Sequence, residues 1–252
     1  MWPWARRVRS RFFDERCPDL REVDVGRSIV SFTFDDAPVS AGEVGGRILS
    51  ERGLLGTFYM AMGLSRSPSQ GEHPIMSPGD VASLHGAGHD IQCHTYSHIS
   101  LRGTSSGTIS ADCARNRADL ESLLPEHRVQ HFAYPFGRVS PWAKRSLGPS
   151  YLSMRSAWAG VNRGAVDIRR LKAVSICEVD LDMDEVRAFI DSLRDDPGWL
   201  IFFTHEVCDE PSQWGTRSGT FESIVDYALE RGERVLPVRQ AFDSAVSDPS
   251  PR

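Results

Sequence analysis

Short apolar runs rich in β-branched and aromatic residues recur along most of the chain, and stretches with helical spacing lie between them. The runs predict strands over 28–34, 57–61, 90–94, 129–134, 151–157, 171–176, 199–204 and 234–238. Helical patterns carry their own start and stop signals. Residues 40–52 run up to Gly53, and Ser77-Pro78 opens a helix that Gly86 or Gly88 closes. Residues 110–124 place Ala114, Ala118 and Leu120 among their apolar positions and stop at Pro125. Met183, Val186, Phe189, Ile190 and Leu193 fall at helical spacing before Pro197-Gly198, and 220–231 ends at Gly232. Strands alternating with helices predict an α/β fold, either a (β/α) barrel or a doubly wound sheet. No nucleotide-binding glycine fingerprint follows the first strand, which disfavours the doubly wound alternative. Residues 1–27 read as an N-terminal arm, 28–243 as a single domain, and 244–252, with Pro249 and Pro251, as a flexible tail.

Composition narrows the class. A chain of 252 residues with 40% hydrophobic and 25% charged residues is neither disordered nor a disulfide miniprotein. At this length folding buries about three quarters of the unfolded surface, so a metal site would serve chemistry rather than hold the chain together. The net charge is −5 and there is no long basic run, which argues against a nucleic-acid partner. Five cysteines, an odd number with no C-x-x-C pair, predict a reducing, cytoplasmic setting. No apolar stretch approaches the roughly 18 residues of a membrane span. The opening MWPWARRVRSR is positive but has no apolar segment behind it, unlike a secretory signal. Trp2, Trp4, Val8, Phe12 and Phe13 among arginines suit either an arm that touches a membrane surface or partner, or one packed on the domain.

Polar residues with chemistry gather at the ends of the predicted strands. The first ends in Thr33-Phe34-Asp35-Asp36, where adjacent carboxylates face opposite ways at the rim on which barrel active sites are built. The third runs into His94-Thr95-Tyr96-Ser97-His98, a pair that closes on one metal if the backbone makes a helical turn. Asp36, His94 and His98 together would leave open positions on a metal, as catalytic sites do, although the same set describes a non-haem iron triad. The fourth strand ends in Tyr134-Pro135-Phe136-Gly137, a tight turn able to offer backbone N–H groups to an oxyanion. His205 ends the seventh strand and is placed to act as a general acid.

The order of these motifs resembles the polysaccharide deacetylases with NodB homology, carbohydrate esterase family 4. TFDD, HTYSH, YPFG and THEV are similar to the family's first, second, third and late histidine motifs. The resemblance implies a distorted (β/α) barrel of seven or eight strands and a metal-dependent hydrolase removing N-acetyl groups from a sugar or glycan. It implies that Asp36, His94 and His98 bind a divalent metal, zinc before cobalt, nickel, manganese or iron. Asp35 matches the base, His205 the acid, and Phe136 the backbone oxyanion donor. The sequence departs from the pattern at Ala37-Pro38, where Gly is usual, and at Ala133, where an Arg that orients the base is usual. Arg155, Arg169 and Arg170 are candidates to supply that cation, and Trp158, Asn162 and Trp214 are candidates to line a sugar groove. Two alternatives remain at this point: a deformylase or amidase on another C–N bond, and an inactive barrel that binds carbohydrate.

Overall fold

The computed structural model describes residues 18–36, 38–67 and 73–246. Its strands are β1 (Leu20–Val23), β2 (Ile29–Asp35), β3 (Thr57–Met60), β4 (Asp90–Cys93), β5 (His131–Ala133), β6 (Ser153–Arg155), β7 (Gly164–Asp167), β8 (Val174–Ser175), β9 (Trp199–Thr204), β10 (Val207–Cys208), β11 (Thr216–Arg217) and β12 (Arg234–Val235). Seven of them form one curled parallel sheet in the order β6-β5-β4-β3-β2-β9-β8. The two ends of that sheet meet. Leu171 donates to the Met154 carbonyl and accepts from Ser156, each at 2.9 Å, while Val174 and Ser175 pair with Phe202 and Phe203. The result is the distorted barrel expected from the sequence, with β12 wedged beside the start of β2.

Strand alternation decides what lies on each side of the wall. Val30, Phe32 and Phe34 of β2 face outward and pack with Phe58, Ile91, Phe132 and Phe202 beneath the helices. The helices are α1 (Arg47–Ser50, entered through a π-helical turn Ala41–Gly46), α2 (Met62–Arg66), α3 (Pro78–Gly86), α4 (Ser106–Leu123), α5 (Pro141–Leu147), α6 (Met183–Asp195), α7 (Ser218–Glu230) and α8 (Val238–Ala245). The alternate positions face the lumen, which is unusually polar on one side: Thr33, Asp35, Thr57, Gln92, His131, Ser153 and Arg155 are all buried. On the other side Ile29, Trp199, Ile201 and Phe203 form a second apolar cluster, and α8 closes the bottom with Val238, Ala241 and Ala245. The Val238 N–H, which α8 cannot satisfy internally, donates to Thr57 Oγ1 at 2.7 Å.

Several elements differ from expectation. The segment expected to be an arm contributes β1, which pairs antiparallel with β7, and Val23 and Val25 are buried. The start of the chain with its tryptophans lies outside the described residues, as does the tail beyond Val246. The run 234–238 is strand only at its first two residues, because Pro237 ends it and opens α8, whose last residue Ala245 is buried. α4 begins at Ser106, four residues before the expected start, where Ser105 Oγ accepts the Thr108 N–H at 3.2 Å. Among the described residues no helix is long and apolar enough to cross a membrane.

His131 makes this polar lumen sensitive to acid. Its ring is fully buried against Phe242, Nδ1 meets Ser153 Oγ at 2.8 Å, and burial pushes its pKa down to about 4. Between that value and the ordinary 6.5 the unfolded chain binds more protons than the folded one, so stability is full above pH 6.5 and falls as the pH drops towards 4. The loss from this residue is on the order of 3 kcal/mol. In urea titrations, the stability gap between wild type and His131→Asn is expected to shrink as pH is lowered from about 7 to about 4.5. Parallel curves across that range would contradict this account.

Candidate metal centre and catalytic site

The chemistry-bearing residues converge at the C-terminal mouth of the barrel, on the turns that follow β2, β4, β5 and β9 and on the last residue of β6. Adjacent residues at the end of β2 divide the work. Asp35 points into the lumen and is buried, whereas Asp36 leaves the strand with φ 61° and turns its carboxylate to the rim. Asp36 Oδ1 lies 3.4 Å from His94 Nε2 and 3.1 Å from His98 Nε2. That oxygen is buried and has no hydrogen-bond partner among the described residues.

The two histidines are brought together without the helical turn that their spacing suggested. Thr95 and His98 adopt positive φ of 64° and 49°, and the turn is held from outside. Asp112 of α4 accepts the Tyr96 and Ser97 N–H groups at 2.6 and 3.1 Å, and Thr95 Oγ1 accepts the Ile99 N–H at 3.2 Å. Gly63 lets α2 approach this turn, since its N–H donates to the Tyr96 carbonyl at 2.8 Å and a Cβ there would sit 2.5 Å from that oxygen. Phe136, the other positive-φ residue of the mouth at 59°, packs its ring against His98 at a tilt of 52° with centroids 4.5 Å apart. The four non-glycine residues of positive φ among those described are Asp36, Thr95, His98 and Phe136. Such backbone costs roughly 1–3 kcal/mol per residue and persists where surrounding contacts enforce it, which is a mark of a working site.

The donor set fits a divalent cation. One carboxylate oxygen and two imidazole nitrogens lie within 4.8 Å of one another. His94 Nδ1 meets the Ala133 carbonyl at 2.9 Å; a carbonyl only accepts, so Nδ1 carries the hydrogen and the Nε2 lone pair faces Asp36. Burial, partly offset by Asp35 and Asp36, pushes the His94 pKa down to about 4, which keeps the ring neutral and able to ligate.

Arg155 Nη2 donates to Asp35 Oδ1 in a buried ion pair. The guanidinium carbon also sits 5.1 Å from the Tyr59 ring centroid and 5.0 Å from that of Phe203. Burial alone would raise the Asp35 pKa, but Arg155 together with His94 and His205 outweighs it and holds the carboxyl below its ordinary value. The other two arginines named from sequence lie elsewhere: Arg169 pairs with Asp19, and Arg170 approaches Asp167 and covers the Trp158 ring.

His205 enters from the β9 side, its Nε2 3.8 Å from Asp36 Oδ2. Its Nδ1 meets the Trp214 carbonyl at 3.0 Å and lies 3.9 Å from Cys177 Sγ. Burial lowers its pKa, but the Cys177 contact and the two aspartates reverse that and raise it to about 10. Trp214 is half exposed beside it. Asn162 is no groove residue: it is fully buried and ties the Lys172 backbone to the Trp199 carbonyl. Asp112, Cys177 and the Trp214 carbonyl escaped the reading of the sequence, because each reaches the site from a distant segment and none belongs to a local motif.

The fold is a distorted (β/α) barrel with a carboxylate–histidine cluster at its mouth, and comparison with known proteins gives its family. The family model described as polysaccharide deacetylase matches residues 22–148, and the chain belongs to that family, with NodB homology. Solved structures share the fold. A peptidoglycan N-acetylglucosamine deacetylase superposes with TM-score 0.63 at 14% identity, over 90% of this chain and 94% of its own. A family 4 acetyl xylan esterase from Clostridium thermocellum, in complex with a cobalt ion, gives 0.61 at 18%, over 86% and 91%. A carbohydrate esterase family 4 pseudoenzyme from Bacillus anthracis gives 0.61 at 13%, over 88% and 67%. Comparison with curated proteins yields no match.

Removing one half of the buried pair should be costly. Arg155→Met leaves Asp35 buried and uncompensated, and urea denaturation is expected to show a loss of about 3–5 kcal/mol. Adding Asp35→Asn should recover a large part of that loss. Additive losses in the double variant would contradict the pairing.

Proposed function

We propose that the protein is a metal-dependent hydrolase that removes an N-acetyl group from a sugar or glycan. The observation that carries this reading is one carboxylate, Asp35, held ionised immediately beside a converging carboxylate–histidine triad of which it is not a member. Asp36, His94 and His98 would hold the cation, and a divalent ion there, zinc or alternatively cobalt, nickel, manganese or iron, supplies Lewis acidity towards an amide oxygen and a water molecule. Asp35 takes the proton of the attacking water, and Arg155 holds it in position and keeps it from being protonated beforehand. The Phe136 N–H, in the turn of Tyr134, Pro135 and Gly137, donates to the oxygen that gains negative charge. His205, whose pKa is raised by Cys177 and the two aspartates, delivers a proton to the departing nitrogen. Without that proton the leaving group would be an amide anion. Water and the acetamide thus become acetate and a free amine.

Two exposed aromatic rings at the mouth, Phe136 and Trp214, suit the apolar faces of a sugar. The four described cysteines are free thiols, in keeping with a reducing compartment such as the cytoplasm. Loss of a positioning Arg at Ala133 favours the inactive-barrel alternative. Against it stand Arg155 on the base and the retention of both Asp35 and His205, which a binding module does not need.

The test is hydrolysis of N-acetylglucosamine oligosaccharides and their N-formyl counterparts by the zinc-loaded protein, with acetate and formate measured separately. Acetate release is expected, falling by a factor of about 10² or more in Asp35→Asn and in His205→Ala. Formate alone would move the reading to a deformylase. No turnover of either substrate, with sugar binding retained, would establish the inactive barrel.

A further inference from the structure

The rim of the barrel mouth is charged unevenly, a difference that the hydrolytic chemistry does not use. On the β5 side the turn Pro135–Gly137 leads into Arg138, which is exposed, and then into α5. The Arg138 guanidinium carbon lies 5.6 Å from the Phe136 ring centroid, and Phe136 in turn lies 4.5 Å from the His98 ring. Two ring contacts thus separate this cation from the carboxylate–histidine cluster. Among the described residues Arg138 makes no ion pair, whereas Arg52, Arg66, Arg163 and Arg231 each meet a carboxylate elsewhere on the surface. Arg102 braces the same turn from the histidine loop, its Nε donating to the Val139 carbonyl at 2.8 Å. Trp142, 68% exposed on the first turn of α5, carries the aromatic surface beyond Phe136.

The β9 side has the opposite sign. Trp214 sits there on a strip tied by the Glu178 N–H to the Gly215 carbonyl at 2.8 Å and by the Val179 N–H to the Gln213 carbonyl at 2.9 Å. Asp180, Asp209 and Glu210 on these segments are exposed, and Arg217 is drawn to Glu178 at 3.5 Å. A chain of net charge −5 repels an anionic ligand at long range, so a cation with no carboxylate beside it decides where such a ligand lands. We propose that Arg138 is a specificity-determining residue that pairs with an anionic group of the substrate, a uronate carboxylate or a phosphate. The proposal rests on the hydrolase reading, since it takes the mouth to receive an acetamido sugar. The acetamide lies over the cluster, the anionic group points to the β5 rim, and the acidic β9 rim disfavours the reverse placement. A guanidinium suits both groups, because its planar fork donates two parallel hydrogen bonds to a carboxylate or a phosphate.

The test is calorimetric binding to the zinc-loaded full chain carrying Asp35→Asn, so that a sugar is bound and not consumed. One pair of probes is the N-acetylglucosamine tetramer and a tetrasaccharide alternating N-acetylglucosamine with glucuronate. The other is N-acetylglucosamine and its 1-phosphate. At least one anionic probe is expected to bind about tenfold tighter than its neutral counterpart, and which one does so separates a carboxylate from a phosphate. The advantage should shrink as salt is raised to about 0.5 M, vanish when Arg138→Gln is added, and return in part with Arg138→Lys. Equal affinity for anionic and neutral probes, an advantage that survives Arg138→Gln, or binding of no probe would each overturn the proposal. Acetate release by the chain with Asp35 intact keeps the two readings apart. Acetate without a charge preference overturns the role of Arg138 alone, whereas a charge preference without acetate supports that role and fails the hydrolase.

Discussion

A buried ion pair between Arg155 and Asp35 sets the chemistry of the barrel mouth. A carboxylate stripped of water and left alone takes up a proton, since desolvation costs several kcal/mol per ion. The guanidinium reverses that balance, and the Tyr59 and Phe203 rings beside it supply a surface on which a flat cation is stable. Cross-strand register provides the room. Ala133 of β5 is the direct neighbour of Arg155 on β6, so the long side chain enters the lumen beside a methyl group. Asp35 is therefore fixed and ionised from below, while Asp36, one residue later and facing the opposite way, is left to the histidines.

The rim above that pair is strained, and the rest of the barrel carries the strain. Four left-handed residues hold Asp36, His98 and the Phe136 turn in positions that ordinary strand or helix geometry does not reach. Their persistence depends on the two apolar layers on either side of the wall and on tethers such as Asp112, which grips the histidine turn through two N–H groups. Stability comes from the wall and the plugged base; the carboxylate–histidine cluster is assembled at the mouth, on turns.

Much of this was legible in the chain because the information is local. Short apolar runs rich in β-branched and aromatic residues mark the wall strands, and TFDD, HTYSH, YPFG and THEV each sit within a few residues of a strand end. Conformation inside those motifs was less accessible: the histidine pair closes through two left-handed residues and not through a helical turn. Partners across long loops were less accessible still. Arg155 lies 120 residues from Asp35, and nothing in the spacing separates it from Arg169 or Arg170. Short strands such as β1 and β7 owe their existence to partners elsewhere in the fold, so no periodic signal announces them, whereas α8 carries Val238, Ala241 and Ala245 at helical spacing behind Pro237 and was masked by the apolar run that precedes it.

The central claim is that Asp36, His94 and His98 form one metal site beside an independent base. The direct measurement is zinc content per chain after reconstitution and exhaustive dialysis, for wild type, His94→Ala and Asp35→Asn, with circular dichroism to confirm the fold. The account predicts one equivalent in wild type and in Asp35→Asn, and loss of the ion from His94→Ala. No bound metal in the wild type, or equal retention in His94→Ala, would contradict it.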